Sequence, residues 1–289
     1  MSNWLKLRAR TSAPLTSVRA ALTDAAALEV WLAEHAEVDL PHTFAFWGRY
    51  TPDGDAPHQR LLHADDHSLS FEWRLHGVTT TVELGLEEDG DDTVISLAQS
   101  EVPLWTDAVA NTTPLAILGT FWSLAIANLI DHVEGRETTP KCDFTTTAMG
   151  ERLTVEASPD EVYRSLMEPE LFRQWFGADI SVEPRVGGSW EMGGGGAARI
   201  VELVPGQRVV LDWGDMVSTW ELAGSAGQTR LTFVNSGFDE TNPPYADWTG
   251  WLGGMAALRR FHELPEFRSI WLSVEWPGIS ADALVEELS

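Results

Sequence analysis

The sequence predicts an α+β protein made of two tandem copies of one domain, each a curved antiparallel sheet wrapped around a long C-terminal helix. Three observations lead there. First, the chain repeats itself: SVRAALTDAAALEVWL (Ser17 to Leu32) aligns without a gap onto EVYRSLMEPELFRQWF (Glu161 to Phe176), pairing Val18 with Val162, Leu22 with Leu166 and Trp31 with Trp175. Downstream, Phe71-Glu72-Trp73 answers Leu211-Asp212-Trp213, and Trp122 to Leu129 answers Trp251 to Leu258. A period of roughly 140 residues is a whole domain, far longer than a solenoid unit. Second, the middle of the second copy alternates between apolar and polar residues, which calls for an antiparallel sheet with one face inside and one in water. Third, each copy closes on a run with helical spacing.

The second copy shows its elements clearly. Leu153 to Ala157 alternates as a strand. Ser158-Pro159-Asp160-Glu161 then supplies an N-cap serine, proline at the first helical position and glutamate at N3, a capping box. Val162, Leu166, Phe172, Trp175 and Phe176 form the buried side of two short helices, broken at Pro169. In the strands, Trp190 and Met192 share a face, as do Leu211 and Trp213, Trp220 and Leu222, and Leu231 and Phe233, while Glu191, Asp212 and Glu221 point away. Turns are expected at Pro205-Gly206 and Gly224 to Gly227. The closing helix carries Trp248, Trp251, Leu252, Met255 and Leu258 on one stripe.

The first copy ends on Thr113-Pro114 and a helix that is apolar nearly all round, from Leu115 to Ile130. One stripe covers the sheet, so its surplus faces need another partner, either the other domain or a second subunit. That run is shorter than the ~20 residues a bilayer crossing requires. The polar stretch Arg136 to Lys141 reads as the linker. The expected organisation is a divergent domain over 1–137, a linker and strand approach over 138–147, a second domain over 148–265 and an extension over 266–289. The extension holds a strand near Ile270 to Val274 and a helix capped by Ser280.

Composition excludes several classes of function. The 44% hydrophobic content and 14 tryptophans argue against disorder. The net charge is −25, spread over both halves, so nucleic acid and anionic membranes are not expected partners. A single cysteine, Cys142, permits no internal disulfide, and MSNWLKLRAR has no signal-like apolar run. The expectation is a soluble cytoplasmic protein, monomeric or homodimeric. Asn111-Thr112-Thr113 matches a glycosylation acceptor and is set aside for lack of a secretory signal.

The candidate chemistry is sparse. His58, His63 and His67, with Asp65 and Asp66, crowd one segment, but their spacing fits no metal motif and reads as a solvated loop. His76 lies beside a turn, and His132 and His262 sit near the ends of the long helices, where the helix dipole accounts for them. Gly193 to Gly196 has no helix behind it and reads as a hairpin rather than a phosphate loop. The acidic run Glu87 to Asp92 departs from the EF-hand pattern and reads as a hairpin tip. No GxSxG motif is present. No catalytic residue, metal site or cofactor is expected.

SPDEVYRSLMEPELFRQWF, VGGSWEM, RIVELVPGQRVVLDW, STWEL, TRLTFVNSGF and GWLGGMAALRRF, in that order, resemble the START-related (SRPBCC) superfamily. Within it they are most similar to the family named after the activator of the 90-kDa heat-shock-protein ATPase. The resemblance covers roughly residues 150–265; the first copy is divergent, with Phe44 to Tyr50 where the second has its Gly-Gly strand. It implies a helix-grip fold with a cavity between sheet and long helix that relatives use for apolar molecules. The inward aromatic face gives the ligand-binding candidates: Trp175, Trp190, Met192, Trp213, Trp220, Phe233, Trp251 and Met255. Bulky aromatics with adaptable methionines can wall an apolar pocket, although each can equally fill a core. Gly250, Gly253 and Gly254 permit either close packing or a movable helix. The leading expectation is non-catalytic binding of a small apolar molecule. A chaperone partner and a cyclase-like activity on an aromatic or polyketide substrate are the alternatives.

Overall fold

The computed structural model describes residues 3–110, 113–193, 196–225 and 227–278. They fall into two compact units, one from 3–145, 245–253 and 270–278, the other from 146–244 and 254–269. In the first, β1 (Trp4–Thr11) leads into α1 (Leu15–Thr23) and α2 (Ala25–Trp31), then β2 (His35–Asp39) and β3 (Thr43–Trp47). After a long loop come β4 (Gln59–Ala64), β5 (Ser68–Leu75), β6 (Val78–Asp89) and β7 (Asp92–Ser100), then α3 (Trp105–Val109) and α4 (Leu118–Val133), the last entered through a 3-10 turn over Pro114–Ile117. The second copy runs through β8 (Met149–Val155), α5 (Pro159–Met167), α6 (Pro169–Phe176), β9 (Ile180–Val182), β10 (Ser189–Met192), β11 (Gly196–Val204), β12 (Arg208–Asp212), β13 (Val217–Ser225), β14 (Gln228–Ser236) and α7 (Tyr245–Glu263). β15 (Trp271–Glu275) closes the described chain.

Both sheets are antiparallel. The second has seven strands in the order β8-β14-β13-β12-β11-β10-β9. The first has six, β15-β1-β7-β6-β5-β4, with β2 and β3 paired apart from it. The difference arises where the copies diverge: β10 pairs with β11 in a hairpin that joins Met192 to Gly196, whereas residues 48–58 separate β3 from β4.

The repeat persists at the level of single hydrogen bonds. Trp31 Nε1 donates to the Ala21 carbonyl and Trp175 Nε1 to the Ser165 carbonyl, both at about one helix-pair span. Thr93 Oγ1 donates to the Ala13 carbonyl, and Thr229 Oγ1 to the Ala157 carbonyl. Each pair ties the last strand to the loop entering the helix pair, so one folding solution is used twice. The capping box forms as expected: Glu161 N–H donates to Ser158 Oγ, and Ser158 N–H donates to Glu161 Oε2 at 2.8 Å.

Helix α4 is buried on nearly every side. Part of its surplus apolar surface is covered within the first unit by the C-terminal extension. A Cβ on Gly119 would lie 1.6 Å from Cζ3 of Trp276, so only glycine admits that indole. Trp276 also stacks edge-on to Trp105 and donates from Nε1 to the Pro103 carbonyl. The extension is therefore part of the first unit: β15 pairs with β1, matching Leu7 with Val274. The continuous helix Pro114–Val133 is 20 residues long, longer than the apolar run alone suggests, and by length and composition it could cross a membrane. Most of it is buried inside the protein, as befits a core helix.

The segment read as a linker is not slack. Asn128 and Thr139 exchange two hydrogen bonds, Thr139 N–H to Asn128 Oδ1 at 2.8 Å and Asn128 Nδ2 to the Thr139 carbonyl at 3.0 Å. Lys141 Nζ donates to the carbonyls of Glu29, Val30 and Ala33, closing the C-terminal end of α2, where cations are favoured. A polar sequence is compatible with this docking because its partners are backbone groups. The expected cap at Ser280, the Asn111-Thr112-Thr113 motif and part of the Gly193 to Gly196 and Gly224 to Gly227 turns lie outside the described residues.

Candidate functional site

The site is built on the inner face of the second sheet. Alternation along β10 turns Trp190 inward and leaves Glu191 exposed, and β13 does the same with Trp220 and Glu221. On α6, the helical spacing puts Phe172, Trp175 and Phe176 on one side. Together they make a chain of rings. Phe176 lies 4.8 Å from Phe172, Phe172 lies 5.5 Å from Trp190, and Trp190 lies 5.8 Å from Trp213, centroid to centroid. Trp175 joins the same group, 4.8 Å from Phe172. Separations of this size, with mostly edge-to-face geometry, are those in which aromatic quadrupoles attract.

The two ends of the chain differ from its middle. Phe172 and Trp190 are buried, whereas Phe176 and Trp213 are partly exposed, as is Met192, whose strand partner Gly196 lies against the Trp213 indole. Hydrogen bonds fix the rings. Trp175 Nε1 and Trp190 Nε1 donate to the carbonyls of Ser165 and Leu166 in the last turn of α5. Trp213 Nε1 donates to Ser218 Oγ at 3.0 Å, and that hydroxyl donates on to Asn235 Oδ1 at 2.7 Å. The ring nitrogens are thus engaged within the protein, and the partly exposed rings present apolar surface.

The other expected site residues are all buried. Trp220 and Phe233, both buried, stack at 4.0 Å on facing positions of β13 and β14. Met255 is buried on α7, and Trp251, also buried, belongs with the first unit. Two of the α7 glycines stand at close approaches. A Cβ on Gly254 would lie 2.9 Å from Cε2 of Phe176, and one on Gly250 would lie 3.3 Å from Cγ2 of Thr120.

The equivalent face of the first unit is closed. Phe46, Phe71, Trp73 and Trp122 are at most 1% exposed, and Trp73 packs 5.1 Å from Phe46 and 5.9 Å from Trp122. Trp73 is the counterpart of the partly exposed Trp213, so one repeat position is fully buried in one copy and partly exposed in the other.

One polar pair escaped the sequence. Ser165 Oγ and His262 Nε2 share a hydrogen bond of 3.0 Å between α5 and α7, across 97 positions of sequence. Burial lowers the His262 pKa from its ordinary value, against an opposing pull from the Glu161 carboxylate. A serine hydroxyl bonded to an imidazole nitrogen is the arrangement of a nucleophile and its base. However, Ser165 is 1% exposed, and the Glu161 carboxylate is committed to the Ser158 cap. The pair acts as a clasp between helices. No local motif could have revealed it, because its members meet only through the fold.

The three histidines grouped in the sequence are not brought together. His63 pairs with Asp65 at 2.9 Å, and Asp65 also accepts from the backbone of His67 and Ser68, which makes an ordinary turn. His58 instead faces Asp55. The acidic run forms the β6–β7 hairpin tip, with Asp89 opposite Asp92.

Comparison with known proteins agrees with the repeat. A family model described as "Activator of Hsp90 ATPase homolog 1-like protein" matches twice, over residues 12–115 and 156–258, well over half of the chain. Among solved structures, the chain is similar to the Aha1 dimer from Colwellia psychrerythraea (23% identity, TM-score 0.38, covering 42% of this chain and 98% of that one). It is also similar to CalU16 from Micromonospora echinospora (24% identity, TM-score 0.37, 46% and 76%) and to a conserved protein of unknown function, EF2215, from Enterococcus faecalis (21% identity, TM-score 0.38, 48% and 80%). A search of curated proteins finds no match. With both helix-grip copies matched in register, the chain belongs to the Activator of Hsp90 ATPase homolog 1-like family.

Proposed function

We propose that the second unit binds a small apolar, preferably planar, molecule against the ring chain Phe176–Phe172–Trp190–Trp213, without covalent chemistry. One observation carries this reading: the chain is buried in the middle and partly exposed at both ends, whereas its counterpart in the first unit is closed. A core residue gains by being fully covered, and burying an aromatic side chain is worth about 1.5–3 kcal/mol. Aromatic surface left open at Trp213 and Phe176 therefore marks a place where a ligand can complete the burial. The Trp213–Ser218–Asn235 relay holds the rim ring in one orientation, so binding would not have to order it first.

Native mass spectrometry of the freshly purified full chain, followed by organic extraction, tests the reading. A stoichiometric adduct of small apolar character supports it. A bare chain that also fails to quench its tryptophan fluorescence with any planar apolar probe counts against it. In that case the co-chaperone role suggested by the family name becomes the stronger reading, and pull-down with a 90-kDa heat-shock protein is its test. Cytoplasmic residence fits either role.

A further inference from the structure

The last strand of the first unit is held there as a bound peptide is held. β15 lies antiparallel on β1, with Lys6 opposite Glu275, Leu7 opposite Val274 and Arg8 opposite Ser273, and Arg10 N–H donates to the Ile270 carbonyl at 2.7 Å. Trp271 to Val274 are only partly buried, whereas Trp276, immediately after the strand, is 7% exposed. Backbone pairing along a sheet edge together with one deeply seated aromatic is how extended peptides are recognised by strand addition. We propose that the edge of β1 and the slot over Gly119 form a receptor groove for an acidic, extended peptide with a tryptophan anchor, and that residues 270–278 occupy this groove in cis.

The duplication separates this segment from the fold that carries it. In the second sheet the equivalent of β1 is β8, which lies at the end of its sheet and pairs, among the described strands, with β14 alone. The same architecture therefore stands without a strand at that edge, and β15 is an addition to it. The slot is shaped for an indole. A Cβ on Gly119 would lie 1.6, 2.0 and 2.7 Å from three atoms of the Trp276 ring, so glycine is what leaves the room. Trp276 Nε1 donates to the Pro103 carbonyl at 3.0 Å, the Trp105 ring meets the indole edge-on at 5.3 Å, and Trp105 N–H takes the Pro277 carbonyl at 2.8 Å.

Charge gives the occupant its chemistry. Lys6, Arg8 and Arg10 alternate along β1, a basic stripe on a chain whose net charge is −25. The cis segment answers Lys6 with Glu275 at 3.0 Å but sets Ser273 opposite Arg8, which reaches instead to Glu87 on β6 at 3.6 Å. A peptide with a carboxylate at the place of Ser273 adds a cross-strand ion pair that the cis segment lacks. Tethering holds the cis segment at an effective concentration on the order of millimolar, so a free peptide competes poorly until the tether is cut.

The test cuts that tether after folding. A protease site is inserted in the full chain between the exposed Arg268 and Ser269, and melting of the uncut protein verifies that the insertion leaves the fold intact. The cut chain is then titrated with a fluorescein-labelled peptide of residues 269–278, and with the same peptide carrying Trp276→Ala or Ser273→Glu, read by anisotropy. The groove predicts saturable displacement of the cut segment by the parent peptide and binding to the uncut chain at least about tenfold weaker. It also predicts at least about tenfold weaker binding of the Trp276→Ala peptide, and tighter binding of the Ser273→Glu peptide that fades in high salt. A cut segment that no peptide displaces, or a Trp276→Ala peptide that binds as well as the parent, overturns the proposal and leaves β15 as a fixed strand of the first unit. A Ser273→Glu peptide that binds no tighter overturns the acidic preference, and stable dimers that exchange their extensions would give the groove to a second copy instead.

Discussion

At the scale of single residues, Trp190 on β10 and Trp213, just past the end of β12, differ in exposure although they stand in contact in the same ring chain. Trp190 is 2% exposed and its indole is bonded inside, so Trp190→Ala should cost about 3–5 kcal/mol in a denaturant titration. Trp213→Ala should cost much less stability, yet weaken an apolar ligand at least about tenfold, or about 1.4 kcal/mol. Equal destabilisation by both would return Trp213 to the core. Both inward positions were legible from alternation, but the difference between them was not. Exposure at Trp213 depends on how Trp190 of β10 and Gly196 of β11 lie against it, which no pattern in one strand encodes. His262 gives a second prediction. Its pKa is lower in the folded state than its ordinary 6.5, chiefly through burial, so the unfolded chain binds the extra proton first. Its contribution to stability is complete above about pH 6.5 and is lost as the pH falls through the folded value. His262→Gln should flatten the fall in Tm between about pH 7 and 5. An unchanged pH profile would show that the Ser165 clasp does not depend on the neutral imidazole.

Elements extend the same contrast. The capping box, the α5–α6 pair and the hairpin at Glu87 to Asp92 were all readable, because each rests on neighbours in sequence. The role of the extension was not, because its partners lie far back in the chain. β15 completes the edge of the first sheet on β1, and Trp276 fills the space over Gly119. Trp276→Ala should therefore lower stability by about 3 kcal/mol or more, and deletion of residues 266–289 should leave β1 as an unpaired edge prone to association. Analytical ultracentrifugation of the deleted chain measures this. A monomer with the parent's Tm would mean that the extension is dispensable. The all-round apolar α4 pointed to a partner beyond its own sheet, for which the sequence offered the other domain or a second subunit; part of the cover comes from the chain's own C-terminal segment.

For the whole molecule, the central feature is an internal duplication whose copies have taken different paths. The shared bonds Trp31 to Ala21 and Trp175 to Ser165 mark the common frame. Within that frame the first copy has closed its aromatic face and gained the 48–58 loop, while the second keeps ring surface open at its rim. The family and the tandem arrangement were visible in the sequence because they rest on repeated motifs. The difference in exposure between the two aromatic faces was not, because it rests on packing. The measurement that bears on it most directly is native mass spectrometry of the freshly purified full chain beside its Trp213→Ala variant. A ligand-binding second unit predicts a stoichiometric small apolar adduct on the parent and its depletion from the variant. An adduct retained equally by both, or a bare parent chain that takes up no apolar probe, would contradict it.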